Sequence, residues 1–379
     1  MARKEEGLKG NTEQKRTDEE RHTALVLQGG GALGAYQAGA YEALIENGYT
    51  PNWVAGISIG SINAAIIAGN PPSERIEKLR TFWEKITATL NLSAPSGDFP
   101  RGLFNAYNAW AVMVLGASSF FKPRFPQPLL QFSGAQGATS FYDTSPLRDT
   151  LEALVDFDRI QAGETRLSLG AVNIETGNFV YFDNTRHRIG PEHVMASGAL
   201  PPALPPVEID GEFYWDGGLV SNTPLSHVLH QSRDRDILIF QIDLWNARGS
   251  VPRNLLEVQD RQKEIIYSSR TRTVTDVYRR ELELRRAIAT ISEHLPEGVR
   301  RDPALRDYLA LGERRDVDIV HLVYKRKRYE SQAKDFQFSR VSMEEHWQDG
   351  YQDVTREMSM PGWLEPNERD GKIRVFDPY

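Results

Sequence analysis

The sequence predicts an α/β fold, a mostly parallel central sheet with helices on both faces. Apolar runs of strand length alternate with helix-length segments, the order that parallel strands need for their crossovers. Strands are expected at 24–28, 52–57, 166–173, 178–182, 236–242 and 317–324. Two of them, Asp236–Ile242 and Val317–Val323, are apolar enough to be neighbouring buried strands.

Met1 to His22 is charged, mixed in sign and without an apolar core segment, so it reads as a disordered or frayed tail and not as an export signal. The first strand, Ala24–Gln28, runs straight into Gly29-Gly30-Gly31-Ala32-Leu33-Gly34, and a helix is expected from Ala35 to Asn47. A glycine turn opening a helix leaves backbone N–H groups uncovered, a nest for a phosphate or an oxyanion. The same letters spell G-x-G-x-x-G. A dinucleotide site also needs an acid at the end of the second strand, where this chain has Ala55-Gly56-Ile57-Ser58.

That second junction is itself a motif. Gly56-Ile57-Ser58-Ile59-Gly60 follows a strand-like run from Trp53 and precedes a helix-like one through Ile67. This is the context of a nucleophile elbow: the serine at the apex of a sharp turn, glycines where side chains would collide, and the positive helix end aimed at the serine.

Leu103 to Phe121 admits two readings, a buried helix or a cap over the cleft that contacts acyl chains or a membrane. Val207–Trp215 reads as a hairpin turning at Asp210-Gly211 and delivering Asp216 onto Gly217-Gly218. Asp216 caps a turn on the plain reading. As a base for a serine it would need burial to raise its pKa. The charged stretch from Asn254 to about Ile291 is expected as one long helix or a pair. Its apolar positions (Leu255, Val258, Ile265, Ile266, Val274, Val277) would pack on the core. His193 and His227 flank the Asp216 region. Packing or surface roles are their default, against a Ser–His–Asp triad or a zinc site with His230. Lys325–Arg328 reads as a solvated strand end or an anionic-lipid contact.

Hydrophobic content of 40%, charged content of 26% and a net charge of −7 argue against a nucleic-acid partner. With no cysteine the chain has no disulfide or thiol chemistry, which suits a cytoplasmic setting.

The glycine turn, the G-x-S-x-G and the D-G-G loop, in that order, resemble the patatin-like phospholipases. Ala196-Ser197-Gly198-Ala199-Leu200-Pro201 and Asn222-x-Pro224 add to the match, which covers about residues 22–245. The resemblance implies a patatin-like Ser–Asp dyad acting on acyl esters of lipids without metal or cofactor. Ser58 would be the nucleophile and Asp216 the base. The N–H groups around Gly29, Gly30 and Gly31 would form the oxyanion hole, and Gly34, Gly56, Gly60, Gly217 and Gly218 are the motif glycines. The family often has Arg or Lys where this chain has Leu33, so that side chain is expected beside the cleft, tuning substrate. Tyr324–Tyr329 and Phe338–Met343 resemble a C-terminal extension of one bacterial subgroup.

The expected organisation is therefore a tail over 1–22, a catalytic domain over 23–325 with a helical insertion at about 252–312, and an extension over 326–379. The expected function is serine acyl-ester hydrolysis of a lipid, with contact to a membrane or lipid surface. An acyltransferase with the same acyl-enzyme, or a protein that binds lipid or polyester surfaces with little catalysis, is the alternative.

Overall fold

The computed structural model describes residues 22–379 except 88–94, 96, 118, 136, 233–235, 313–314, 328, 331–332, 361–363, 365–371 and 377–379. The tail expected over 1–22 lies outside the described residues but for His22.

The strands are β1 (His22–Leu27), β2 (Trp53–Ile57), β3 (Lys122–Pro123), β4 (Tyr142–Asp143), β5 (Arg166–Asn173), β6 (Phe179–Asp183), β7 (Val207–Ile209), β8 (Glu212–Asp216), β9 (Ile237–Asp243), β10 (Val317–Val323) and β11 (Ile373–Phe376). One sheet runs β11-β10-β9-β1-β2-β5-β8-β7, with β6 also paired to β5. Pairing is parallel from β11 through β5, and antiparallel between β5 and β6, β5 and β8, and β7 and β8. The central strands are apolar on both faces because both faces are covered. Leu25, Leu27, Val54 and Phe240 belong to one core, and Ala24, Val26, Trp53 and Ile239 to the other.

Ala35–Glu46 is a helix buried almost all round. Helix Arg340–Met358 lies across it so closely that a Cβ on Gly39 would run into the Trp347 carbonyl, and one on Gly350 into that of Tyr36. Tyr36 Oη donates to Asp353 at 2.9 Å across the same contact. The segment expected as an extension thus packs on the first helix, and β11 lengthens the sheet. The sequence reading missed β11, β3 and β4. Four residues or fewer are too short for periodicity to register.

The charged stretch after β9 forms a helix pair, Leu255–Tyr267 and Thr271–His294. The expected inward face is wrong for most of its residues. Leu255, Val258, Ile265, Ile266 and Val277 are exposed, while the first helix buries Asp260 and Glu264. These acids meet cations from the C-terminal part of the chain. Lys334 Nζ stands 3.0 Å from Glu264 and 3.4 Å from Asp260, and Arg326 also pairs with Asp260. Opposite charges take the buried face because leaving either partner unpaired there would cost several kcal/mol, about 3–5.

Candidate active site

The elbow forms where the sequence places it. Ser58 closes β2 at φ +55°, a left-handed conformation rare for a residue with a side chain, and Ile59–Ala68 follows as a helix. Space at the turn is tight. A Cβ on Gly60 would strike the Leu27 carbonyl at the end of β1, and one on Gly56 would strike Gly60 itself. The turn is held by Ser58 N–H, which donates to the carbonyl and hydroxyl oxygens of Ser197, both at 3.2 Å. Ser197 Oγ donates in turn to Gly170 O at 2.6 Å. Ser197 is a supporting residue that the sequence reading quoted without a role.

Register brings Asp216 to the elbow. Ile57 pairs with Gly170 on β5, and the next β5 residue, Ala171, pairs with Asp216 at the end of β8. The hairpin that delivers it turns at Asp210 (φ +52°) and Gly211 (φ +84°), as the Asp-Gly signal requires. Asp216 is 2% exposed. Its Oδ1 accepts the Gly218 N–H at 2.7 Å, and the carboxylate shares its cavity with Ser58. Burial pushes its pKa up to about 7, against the lowering effect of the Gly218 N–H and the Ser58 hydroxyl. Asp216 does cap its turn. It also lines the cavity with Ser58, the placement that the base reading needs.

The glycine turn stands against the elbow, and its three leading residues differ. Gly29 N–H donates to Asn222 O at 3.2 Å, and Gly29 O accepts from Asn222 Nδ2 at 3.0 Å and Trp245 Nε1 at 2.9 Å. Gly29 is therefore an anchor with its donor engaged. The N–H groups of Gly30 and Gly31 have no acceptor among the described residues. Ile59 opens its helix, so its N–H has no acceptor within that helix either. Asn222 also donates to Tyr267 O at 2.8 Å. Gln28 bonds Thr223, Tyr267, Leu244 and Trp245, and the two side chains together lock the turn to the loops after β8 and β9. Gln28 is fully buried, and nothing in its local sequence marks it as a hub.

Leu33 is fully buried in the core and is absent from the cavity wall. The expectation that it lies beside the cleft is overturned: the turn winds on into a short 3-10 segment, Gly31–Gly34, that points it inward.

Ser58 and Asp216 open into a cavity of about 90 Å³. Its far wall is apolar, with Ile62, Phe120, Phe121, Leu204, Phe336 and Phe338. Phe338 packs edge-on to Phe120, with ring centroids 5.7 Å apart. The Asp335 carbonyl is the atom that a Cβ on Gly31 would strike, and Lys263 Nζ stands 3.0 Å from the Asp335 carboxylate. The segment before the last helix thus closes the cavity against the glycine turn.

Leu103–Phe121 proves to be both core and wall. Helix Asp98–Leu115 buries Asn105, Asn108, Ala109, Ala111 and Val112 and exposes Leu103, Tyr107, Trp110 and Val114. Phe120 and Phe121 line the cavity.

No histidine lines the cavity among the described residues. His193 Nδ1 accepts the Gly190 N–H at 3.0 Å, His227 stacks on Tyr181 at 3.8 Å, and His230 bonds its own helix at Ser226. The triad alternative fails on placement. Among the described residues no group of three His, Asp or Glu side chains could hold a metal ion. Two cations of the run Lys325–Arg328 are committed to ion pairs, Lys327 with Asp349 at 2.6 Å and Arg326 with Asp260. Arg328 lies outside the described residues.

The sequence matches the signature of the patatin-like phospholipases over residues 25–229, and a second signature, described as patatin phospholipase, over 265–370. It is 25% identical over 236 residues to the lysophospholipase NTE1 of Phaeosphaeria nodorum, covering 60% of this chain and 12% of that protein. It is 42% identical over 62 residues to the triacylglycerol lipase SDP1L of Arabidopsis thaliana, covering 16% of this chain and 7% of that protein. The chain thus spans a small fraction of the length of these relatives. Among solved structures, VipD from Legionella pneumophila is similar at a TM-score of 0.39 and 14% identity, over 89% of this chain and 66% of that one.

Proposed function

The chain belongs to the patatin-like phospholipase family of ester-hydrolysing enzymes, and we propose that it cleaves lipid acyl esters through a Ser58–Asp216 dyad. The observation that carries this reading is the buried Asp216 carboxylate on the same cavity as Ser58, with its pKa raised by burial to about 7. A carboxylate near neutral pKa is a competent base at physiological pH, where an ordinary aspartate is too weak.

In this mechanism Ser58 Oγ attacks the ester carbonyl carbon as its proton passes to Asp216. The tetrahedral oxyanion is met by the open N–H groups of Gly30 and Gly31 and by the positive end of helix Ile59–Ala68. Collapse breaks the C–O bond to the leaving alcohol, which takes the proton back from Asp216. Water then attacks the acyl-enzyme, giving its proton to Asp216, and the second collapse returns that proton to Ser58 and frees the carboxylic acid. The acyl chain lies along the phenylalanine wall. Gly29 has a positioning role, since its N–H is engaged. Residues 326–379 belong to the catalytic unit in this reading, because Phe336 and Phe338 wall the cavity.

Access to aggregated lipid is supported by exposed apolar side chains on the loop between β3 and β4, whose base residues Phe121 and Tyr142 line the cavity. Phe125 is 98% exposed and Phe132 92%, with Leu129 and Leu130 between them. Side chains of this kind suit shallow insertion at a lipid interface. No helix among the described residues is long and apolar enough to cross a membrane.

The direct test is Ser58→Ala assayed on a lysophospholipid and on a neutral p-nitrophenyl ester. Hydrolysis should fall about 10³-fold or more while the circular dichroism spectrum is unchanged. A folded variant with near wild-type turnover would remove Ser58 from the mechanism.

A further inference from the structure

A second cavity, of about 500 Å³, lies at the carboxyl ends of β9, β10 and β11, with Asp243, Val323 and Val375 in its wall. Carboxyl ends of parallel strands are where α/β sheets gather their ligands, and the volume falls within the range of about 300–1,000 Å³ usual for ligand sites. Trp245 is common to this cavity and to the Ser58 cavity, so the two share a wall.

Its lining is cationic in a chain whose net charge is −7. Arg248, Arg270, Arg272 and Arg279 line it. The two acids in the wall are already committed. Asp243 faces His321 Nε2 at 2.7 Å and also accepts from Ser269 and Gln241, and Asp276 pairs with Arg279 at 2.9 Å. Arg270 and Arg272 are exposed and make no ion pair or side-chain hydrogen bond among the described residues. Two unspent guanidinium groups on one rim, beside one buried and one exposed acid that already have partners, leave an excess of forked donors. That donor geometry matches phosphate oxygens.

We propose that this cavity is an anion site that takes a phosphate-bearing group, beside and separate from the Ser58 cavity. The group is either the phosphate of a lipid headgroup or a soluble phosphate compound; Arg270 and Arg272 recognise the same oxygens in both. The proposal does not depend on Ser58 or Asp216 being catalytic.

The test uses the full chain carrying Ser58→Ala, so that no probe is hydrolysed. Inorganic phosphate is titrated by calorimetry, and phosphatidylglycerol/phosphatidylcholine vesicles are compared with pure phosphatidylcholine vesicles by co-sedimentation. Arg270→Gln/Arg272→Gln should weaken binding about tenfold or more in whichever arm the wild-type sequence binds. Arg300→Gln/Arg301→Gln, an equal charge change on a distant helix, should leave it intact. Saturable phosphate binding without vesicle preference assigns the site to a soluble compound; preference for the anionic vesicles assigns it to a headgroup. No binding in either arm, or equal loss in the distant pair, would overturn the proposal. The second of these outcomes would mean net charge alone attracts the probes.

Discussion

Ser58 and Asp216 sit at the ends of two strands separated by β5, and both line the same cavity. That placement sets the proposed nucleophile beside a proposed base whose ionisation is opposed by burial. Both the reaction and the fold should therefore respond to pH near neutrality.

For the reaction, Asp216 must be ionised to accept the serine proton. With its pKa at about 7, kcat/KM on a neutral ester should rise with pH and level off above that value. On the acid side it should fall about tenfold per pH unit. A pH–rate profile flat down to pH 5 would contradict the assignment.

For the fold, the sign is opposite to that of an ordinary salt-bridged aspartate. An unfolded aspartate titrates near ~3.9, and Asp216 at about 7. Between these values the folded state keeps a proton that the unfolded state has lost, so stability falls as pH rises through that window. Asp216→Asn cannot ionise. It should lower kcat by about 10²–10⁴-fold, yet gain in Tm over the wild-type protein more at pH 8 than at pH 4. Thermal unfolding of both proteins at the two pH values checks this.

Leu33 marks a limit of motif reasoning. Placing it in the glycine turn is correct, but a motif fixes backbone and not the direction of every side chain. Because Leu33 is fully buried, Leu33→Arg should cost about 3 kcal/mol or more in urea unfolding and need not alter substrate preference. Leu33→Met should cost less than about 1.5 kcal/mol.

The elbow, the glycine turn and the Asp-Gly hairpin were legible because each is local: a few residues of turn chemistry dictate the backbone there. The closing wall was not. Phe336 and Phe338 come to the cavity of Ser58 through tertiary contacts, the packing of helix Arg340–Met358 on Ala35–Glu46 and the ion pairs of Lys334 and Lys263. Spacing within a helix likewise shows that Leu255–Tyr267 has two faces. It does not show that the charged face meets buried cations while the apolar one faces outward.

The wall predicts chain-length selectivity. Phe338→Leu removes ring atoms that pack against Phe120 and Phe121 and should enlarge the cavity. The ratio of kcat/KM for long over short p-nitrophenyl esters should rise by about tenfold. An unchanged ratio in a folded variant would place the acyl chain elsewhere.

The most direct measurement of the central claim is covalent capture of the nucleophile. The full chain is treated with a fluorophosphonate, its intact mass recorded and the modified peptide mapped. A single adduct on Ser58, missing in Ser58→Ala and slowed in Asp216→Asn, is the predicted result. A folded protein that takes no label, or takes it on another residue while Ser58 stays free, would contradict the Ser58–Asp216 mechanism.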